Sequence, residues 1–368
     1  MVKPTILARR TKPIHIGLSA GTFDTPNHGL GEFTHQFGRI ANDLAPRLLE
    51  ESNIHVSVYL RSRLHGVFGD NLRYLPLRPH HKRFNWSMRR FDLWHTLNQH
   101  VLHLPPPRAG VRMATVFDLN YAYGPEGPHQ AAEAAKIERL LARTDHAATP
   151  SHFVAQDVAR RTAYTGPMSV IHIGAQSLLN TRQERPPLPE NIPPFYFHLS
   201  RMAESKNISA LLDLAAHAGS MQFVFGGPDG AEARAAMEQA RRRNISNIVF
   251  LLDLSDAQKA WLYGHCVGFL FPSLCEGFGL PPLEAMHFGK PVFLSRLTSL
   301  PEVGGDAAFY FDSFAPEAMQ ATIQAGCRQH EQDPQRPSYI MRHASSFNWQ
   351  QCVSSYFDLY KKILGLAT

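Results

Sequence analysis

The chain has 368 residues, 44% hydrophobic and 18% charged, a balance that suits globular domains and excludes a collagen-like or disordered polymer. That length exceeds one ordinary core, so two domains are expected. The net charge of +6 is uneven: residues 1–180 hold 21 Lys and Arg against 13 Asp and Glu, and the remainder holds 16 against 18.

A basic first half beside a near-neutral second half suggests an anionic partner for the N-terminal part. No apolar run reaches bilayer-spanning length and the N-terminus lacks a signal-peptide core, so a cytoplasmic protein is expected. Cys266, Cys275, Cys327 and Cys352 form no C-x-x-C pair and read as reduced thiols. The histidines show no HExxH or Cys/His ligand spacing, and although His100 and His103 could share a helix face, no metal is expected.

Taken in order, Ile14, Ile16 and Leu18 alternate with small or polar residues and predict a strand ending at Ser19-Ala20-Gly21. A loop containing Gly29 and Gly31 and a helix over 32–49 follow, the opening of a βαβ unit. Residues 17–21 match the G-x-S-x-G elbow of hydrolases. That elbow needs an immediate helix, whereas Thr22 to Asn27 carries turn-forming residues, so the match is discounted. A second strand is predicted over 54–60.

Residues 78–94 mix Lys and Arg with Phe84, Trp86, Phe91 and Trp94. The mixture suits a solvated face over a partly buried aromatic patch, an anionic membrane surface or phosphorylated acceptor, or RNA. No nucleic-acid module motif accompanies it, and no nucleic-acid partner is expected. Met113 to Phe117 predicts a strand ending at Asp118, residues 129–142 a helix, and Ala147 to Thr149 a strand. Pro150-Ser151 then opens a helix to about Arg161, and Val170 to Ile173 reads as a strand closed by Gly174. Residues 177–194, proline-rich and without periodicity, read as a linker.

Phe195 to Leu199 opens a second run of alternating strands and helices, which supports a parallel sheet. The strand leads into Ser200-Arg201-Met202-Ala203-Glu204-Ser205-Lys206-Asn207 and a helix from about Ile208. Cations at the end of a parallel strand point into the crevice where such sheets bind ligands. Strands are predicted at 222–225, ending in Gly226-Gly227-Pro228, and at 248–252, followed by Asp253. A helix from Ser255 to about Tyr263 leads to a buried strand, Phe269 to Phe271.

There Glu276 precedes a Gly277-Phe278-Gly279-Leu280 loop, and Pro281-Pro282 opens a short helix through Glu284 that ends at Gly289. Helix-start N–H groups favour an anion, and carboxylates on either side accept hydrogen bonds from hydroxyls. Phosphate flanked by sugars, a nucleotide sugar, satisfies both. A strand at 292–294 follows, and residues 347–364 form an amphipathic tail helix.

The segment PSLCEGFGLPPLEAMHFGKPV, with Glu276 and Glu284 in an E-x7-E pattern, resembles the signature of retaining GT-B glycosyltransferases, family 4 in particular. The resemblance implies two Rossmann-like doubly wound domains facing a cleft: an acceptor-side domain (1–176), the linker (177–194), a nucleotide-sugar domain (195–346) and a helix crossing back (347–368). It also implies a metal-independent transfer of a hexose from a UDP- or GDP-linked donor to a glycan or lipid-linked acceptor.

Carried over residue by residue, Arg201 and Lys206 hold the diphosphate together with the N–H groups of Gly277, Phe278, Gly279 and Leu280. Glu276 binds sugar hydroxyls, Glu284 the ribose, and Leu252, Asp253 and Gly226 lie toward the nucleotide. Gly31, with Gly29, forms a flexible lip near donor and acceptor. Two positions depart from the pattern. Ser200 replaces a glycine, and Phe117-Asp118-Leu119 replaces a His-Asp-Leu motif whose histidine lies near the donor's C6 hydroxyl. With Asp118 retained and a phenyl ring at 117, a 6-deoxy donor is one expectation.

The family's usual company points to envelope polysaccharide or lipopolysaccharide synthesis, with peripheral contact to the inner membrane face through residues 78–94. A GT-B epimerase or hydrolase, or a non-catalytic partner subunit, are the alternatives.

Overall fold

A computed structural model of the chain describes residues 12–20, 23, 29–82, 89–100, 108–124 and 126–366. The 22–27 loop (apart from Phe23), His103, and Phe84 and Trp86 of the 78–94 segment lie outside the described residues.

The first half contains β1 (Ile14–Ser19), α1 (Gly29–Ser52), β2 (Ile54–Leu60), β3 (Arg73–Pro76), β4 (Phe91–Thr96) and β5 (Ala109–Thr115). It continues with α2 (Pro128–Leu141), β6 (His146–Thr149), α3 (His152–Arg161) and β7 (Met168–Val170). Its seven strands form one parallel sheet in the order β3-β2-β1-β4-β5-β6-β7. Val56, Val58 and Leu60 pack in the core that contains α1, while Tyr59, Phe91 and Trp94 cluster on the opposite face. Gly17 of the G-x-S-x-G match is a packing glycine, because a Cβ there would lie 2.3 Å from Trp94.

The second half begins with β8 (Phe195–Leu199), α4 (Ile208–His217), β9 (Gln222–Gly227), α5 (Ala231–Arg242), β10 (Ile248–Leu252) and α6 (Asp256–His265). Then come β11 (Gly268–Phe271), α7 (Leu280–His287), β12 (Val292–Ser295), α8 (Leu300–Gly304), β13 (Phe309–Phe311), α9 (Pro316–Gln332) and α10 (Arg336–Ser345). Its sheet, also parallel, runs β10-β9-β8-β11-β12-β13. Both sheets reverse direction at the first strand, the doubly wound pattern whose ligand crevice lies beyond the carboxyl ends of the strands beside the reversal. In the second sheet that point lies between β8 and β11, the strands that precede Arg201 and Glu276.

Local chemistry sets the helix starts. Ser255 and Gln258 form a reciprocal capping box at α6, and Ser151 caps α3 by accepting from Val154 N–H at 3.2 Å. One start differs from expectation. Gly29 and Gly31 form the first turn of α1 rather than a loop, since first-turn N–H groups need no intrahelical partner and Glu32 suits the positive end of the dipole.

The last helix, α11 (Trp349–Ile363), follows the second sheet in sequence but packs on the first. Tyr356 and Tyr360 hydrogen-bond Thr115 and His95 at 3.0 and 2.5 Å inside the first domain, and Phe37 of α1 stacks edge-on to Tyr356. Burial holds His95 neutral, its pKa pulled down to about 3. Gly174 lets α11 start close by, for a Cβ there would fall 2.3 Å from the Trp349 nitrogen. No helix among the described residues is long and apolar enough to cross a membrane.

Candidate active site

The site is built where the β8/β11 reversal faces the ends of β4 and β5. Within β8, the fully buried His198 bridges the two central strands: Nδ1 donates to the Leu270 carbonyl at 2.8 Å and Nε2 accepts from Ser200 Oγ at 2.7 Å. Burial and the Lys206 charge pull its pKa down to about 4, which keeps it neutral in that role. Ser200 Oγ in turn accepts from Met202 N–H at 2.9 Å. The serine that replaces a glycine therefore pins the turn, and Arg201 projects outward, exposed and paired with no acid among the described residues.

Lys206, 14% exposed at its side chain, points Nζ at Glu276 Oε1 at 2.5 Å and lies over the Phe271 ring. Glu276 is fixed from three sides. Its N–H donates to Thr298 Oγ1, Ser299 Oγ donates to its carbonyl, and the neighbouring Leu274 N–H donates to Ser205 O. Met202, Asn207, Asp253 and Thr298, all at the loop end of this sheet, have φ of 58°, 55°, 52° and 54°. Left-handed Met and Thr cost on the order of 1 kcal/mol each, and such strain concentrates where a loop is shaped for a ligand.

Glu284 in the first turns of α7 accepts from Tyr263 OH at 2.7 Å. Burial raises its pKa above the ordinary carboxylate value, against the opposing pull of Lys259 and the Tyr263 hydroxyl. Glu32 of α1 lies close enough to add its own field at Glu284, so the start of α1 faces the start of α7 across the cleft. Gly29 makes the same point, since its Cβ position lies 3.9 Å from Leu280. Gly31 therefore borders the cleft from a helix turn, not from a lip.

Asp118 stands on the opposite wall. Burial raises its pKa, Asn120 N–H and His100 oppose that, and Glu276 and Lys206 both act on it electrostatically. The glycine loop meets this wall directly. A Cβ on Gly277 would sit 2.1 Å from the Phe117 carbonyl oxygen and 3.0 Å from Asp118 Cβ. Contact with the first domain by itself therefore demands a glycine at 277. Gly279, at φ 121° with Leu300 against it, is required by its own backbone.

Several expectations change. The Phe117 ring is 6% exposed and packs edge-on to Phe33 at 4.7 Å in the first-domain core, so the 6-deoxy reading loses its premise. Gly226 is buried within β9, where a Cβ would fall 2.8 Å from Leu254 and 3.0 Å from Leu199. Its smallness serves strand packing, not a ligand. Leu252 ends the edge strand β10, and Asp253 beyond it accepts from Asp229 N–H at 3.0 Å.

Two groups escaped the reading of the sequence. Gln99 clamps the wall, accepting from Phe117 N–H at 2.6 Å and donating to the Asp118 carbonyl at 2.8 Å. Glu302 ties the domains together, accepting from His152 and Phe153 N–H at the start of α3 and pairing with His172 at 2.7 Å. Ser151 Oγ adds a bond to the Gly277 carbonyl at 2.9 Å, and Cys275 Sγ another to Asn120 Oδ1 at 2.8 Å. A buried amide just after a strand was a usable signal for Gln99; for Glu302 there was none.

Comparison with known proteins places this geometry in context. Residues 180–338 match the family model described as glycosyl transferases group 1. Over 114 residues, 31% of this chain and 30% of the relative, the sequence is 36% identical to an Escherichia coli O-antigen chain mannosyltransferase B. Over 199 residues it is 27% identical to glycogen synthase 2 of Nitrosococcus oceani, covering 50% of this chain and 40% of that one. These alignments span less than half the length of either curated relative.

Among solved structures, sucrose-phosphate synthase from Thermosynechococcus elongatus superposes with a TM-score of 0.71 at 17% identity, over 96% of this chain and 99% of the other. Anabaena Alr3699/HepE, determined in complex with UDP and glucose, gives 0.68 at 14%, over 95% and 100%. The architecture is the GT-B fold of facing Rossmann-like domains. Within it, the match to the glycosyl transferases group 1 model spans the residues that carry Arg201, Lys206, Glu276 and Glu284.

Proposed function

We propose that the protein is a retaining glycosyltransferase that moves a hexose from a nucleotide-diphosphate sugar to a glycan or glycolipid acceptor in envelope polysaccharide synthesis. One observation carries the reading. The Lys206–Glu276 pair sits at the sheet's reversal, opposite Asp118, and Arg201 follows β8 on the same side, exposed and paired with no acid among the described residues. O-antigen mannosyltransferases among the relatives favour mannose, and hence a GDP-linked donor, over glucose.

In this reading residues 195–346 hold the nucleotide, residues 1–176 hold the acceptor, and the tail helix joins the two. Breaking the sugar–phosphate bond builds negative charge on the leaving diphosphate. Fixed positive groups aimed at it lower the barrier, here Arg201, Lys206 and the first N–H groups of α7, with no metal called upon. A diphosphate arriving at Lys206 competes for its ammonium and releases Glu276 to accept from sugar hydroxyls. Glu284, held by Tyr263, receives the ribose hydroxyls. The acceptor attacks from the face the diphosphate leaves, and the leaving phosphate takes its proton, which preserves the anomeric configuration.

The test is a thermal-shift and turnover screen with UDP, GDP and ADP and their sugars, using acceptor glycans from envelope polysaccharide. A shift with one nucleotide, and sugar transfer from its hexose conjugate, is the expected result. No stabilisation by any nucleotide refutes the proposal.

A further inference from the structure

The face of the first sheet away from α1 carries a feature separate from the cleft. Tyr59, Phe91 and Trp94 line that face, and the partly buried groups packed on them are Leu75, Leu77 and Ala109, none of them helical. Over this floor opens a cavity of 380 Å³ whose polar wall is Arg73, Arg78, Arg89, His80 and His81. Among the described residues no carboxylate lines it. A smaller cavity of 120 Å³ shares Arg73 and Arg89 with the first.

Like charges converging on one concavity repel unless an anion joins them. None of the three guanidinium groups pairs with a carboxylate among the described residues, although arginines elsewhere, such as Arg112 with Asp145, do. The field is felt nearby: burial, His80 and Arg78 lower the His81 pKa, and burial, Arg89 and His55 lower that of His15. The His81 imidazole is therefore a poor cation, and the permanently charged arginines are the anion's main partners. A guanidinium fork matches phosphate oxygens two at a time, while the half-buried Leu75 and Pro76 offer an apolar contact for whatever the phosphate is attached to.

We propose that this cavity binds a phosphate-bearing ligand, with Arg73 and Arg89 gripping the phosphate and Leu75 and Pro76 receiving its apolar substituent. The site is distinct from the donor cleft and independent of the reaction assigned to it. Its ligand is either a membrane headgroup or a soluble phosphate ester.

The test uses the full chain with two probes: inorganic diphosphate by titration calorimetry, and phosphatidylglycerol–phosphatidylcholine vesicles by co-sedimentation, with phosphatidylcholine alone as blank. Arg73→Gln/Arg89→Gln should lose binding at least tenfold while its melting temperature and donor turnover hold. Because the donor cleft grips diphosphate too, the calorimetry is run on an Arg201→Gln/Lys206→Gln background, where the diphosphate binding that remains is the binding that Arg73→Gln/Arg89→Gln removes. Loss confined to vesicles identifies a headgroup, and loss that includes free diphosphate identifies a soluble phosphate. Native binding of both probes by the double variant, or binding of neither by the native chain, overturns the proposal. Full binding by Arg73→Lys/Arg89→Lys also overturns it, since diffuse charge would then suffice.

Discussion

The contact between Gly277 and the first domain makes a sharp prediction. In Gly277→Ala the new methyl carbon would lie 2.1 Å from the Phe117 carbonyl oxygen, whereas carbon–oxygen contacts settle at about 3.3–3.6 Å, so roughly 1.2 Å must open. The obstacle is backbone held by both ends of Gln99, and it does not swing aside. The glycine loop must therefore retreat, taking Glu276 with it, or the two domains must part. Either way the reacting groups are displaced by about 1 Å, a misplacement that costs on the order of 10²-fold in rate.

The assay is kcat/KM for sugar transfer, with Gly264→Ala in α6 as control, where a methyl makes ordinary contacts with the Gln183 side chain at 3.4 Å and the Phe288 ring at 3.7 Å. Gly264→Ala should behave as the native protein does. If Gly277→Ala stays within threefold of native turnover, the argued closeness of the two walls is wrong.

Other outcomes follow from the same geometry. Arg201→Ala and Lys206→Ala should each raise the transfer barrier by about 2–4 kcal/mol, read as a 30- to 1000-fold loss of kcat/KM in steady-state assays. Tyr263→Phe removes the hydroxyl that helps keep Glu284 ionised, so the acid limb of the KM profile for donor should move to higher pH. An unmoved limb would detach Glu284 from donor binding. Glu302→Ala leaves two α3 N–H groups without their acceptor and should destabilise the protein by about 1–2 kcal/mol in calorimetry.

Burial works against the Glu302 charge, but His172 and those N–H groups prevail and hold its pKa below the ordinary value of 4.5. Its stabilisation is accordingly complete above that value and lost as pH falls through the lowered one. The native and Glu302→Ala melting temperatures should converge there, and a constant gap down to the acid limit would refute the linkage.

The local parts of this protein were legible because each depends on a short run of residues. Strand period marked Phe195 to Leu199 and Phe269 to Phe271, and charges after strand ends and in a helix's first turns singled out Arg201, Lys206, Glu276 and Glu284 as candidates. The Pro-Pro step announced the start of α7. What stayed hidden was any contact with a partner distant in sequence. Gly277, Gly226 and Phe117 looked like ligand-facing residues because glycine and aromatic chemistry suits a pocket. Their real neighbours are Phe117 itself, Leu254 and Phe33, and no periodicity encodes these.

Spacing over 349–363 showed a helix with one apolar face, but that face is matched to α1 and His95 only through packing across 265 residues of chain. Glu302 and the arginine-ringed cavity belong to the same class: single charges whose meaning appears when the chain brings them beside a helix start or beside one another. Sequence by itself determined the repeating units and the charges at their ends, since hydrogen bonding and burial act locally on each segment. Tertiary structure decided which walls touch, because excluded volume and desolvation act between surfaces that meet only after the chain has folded.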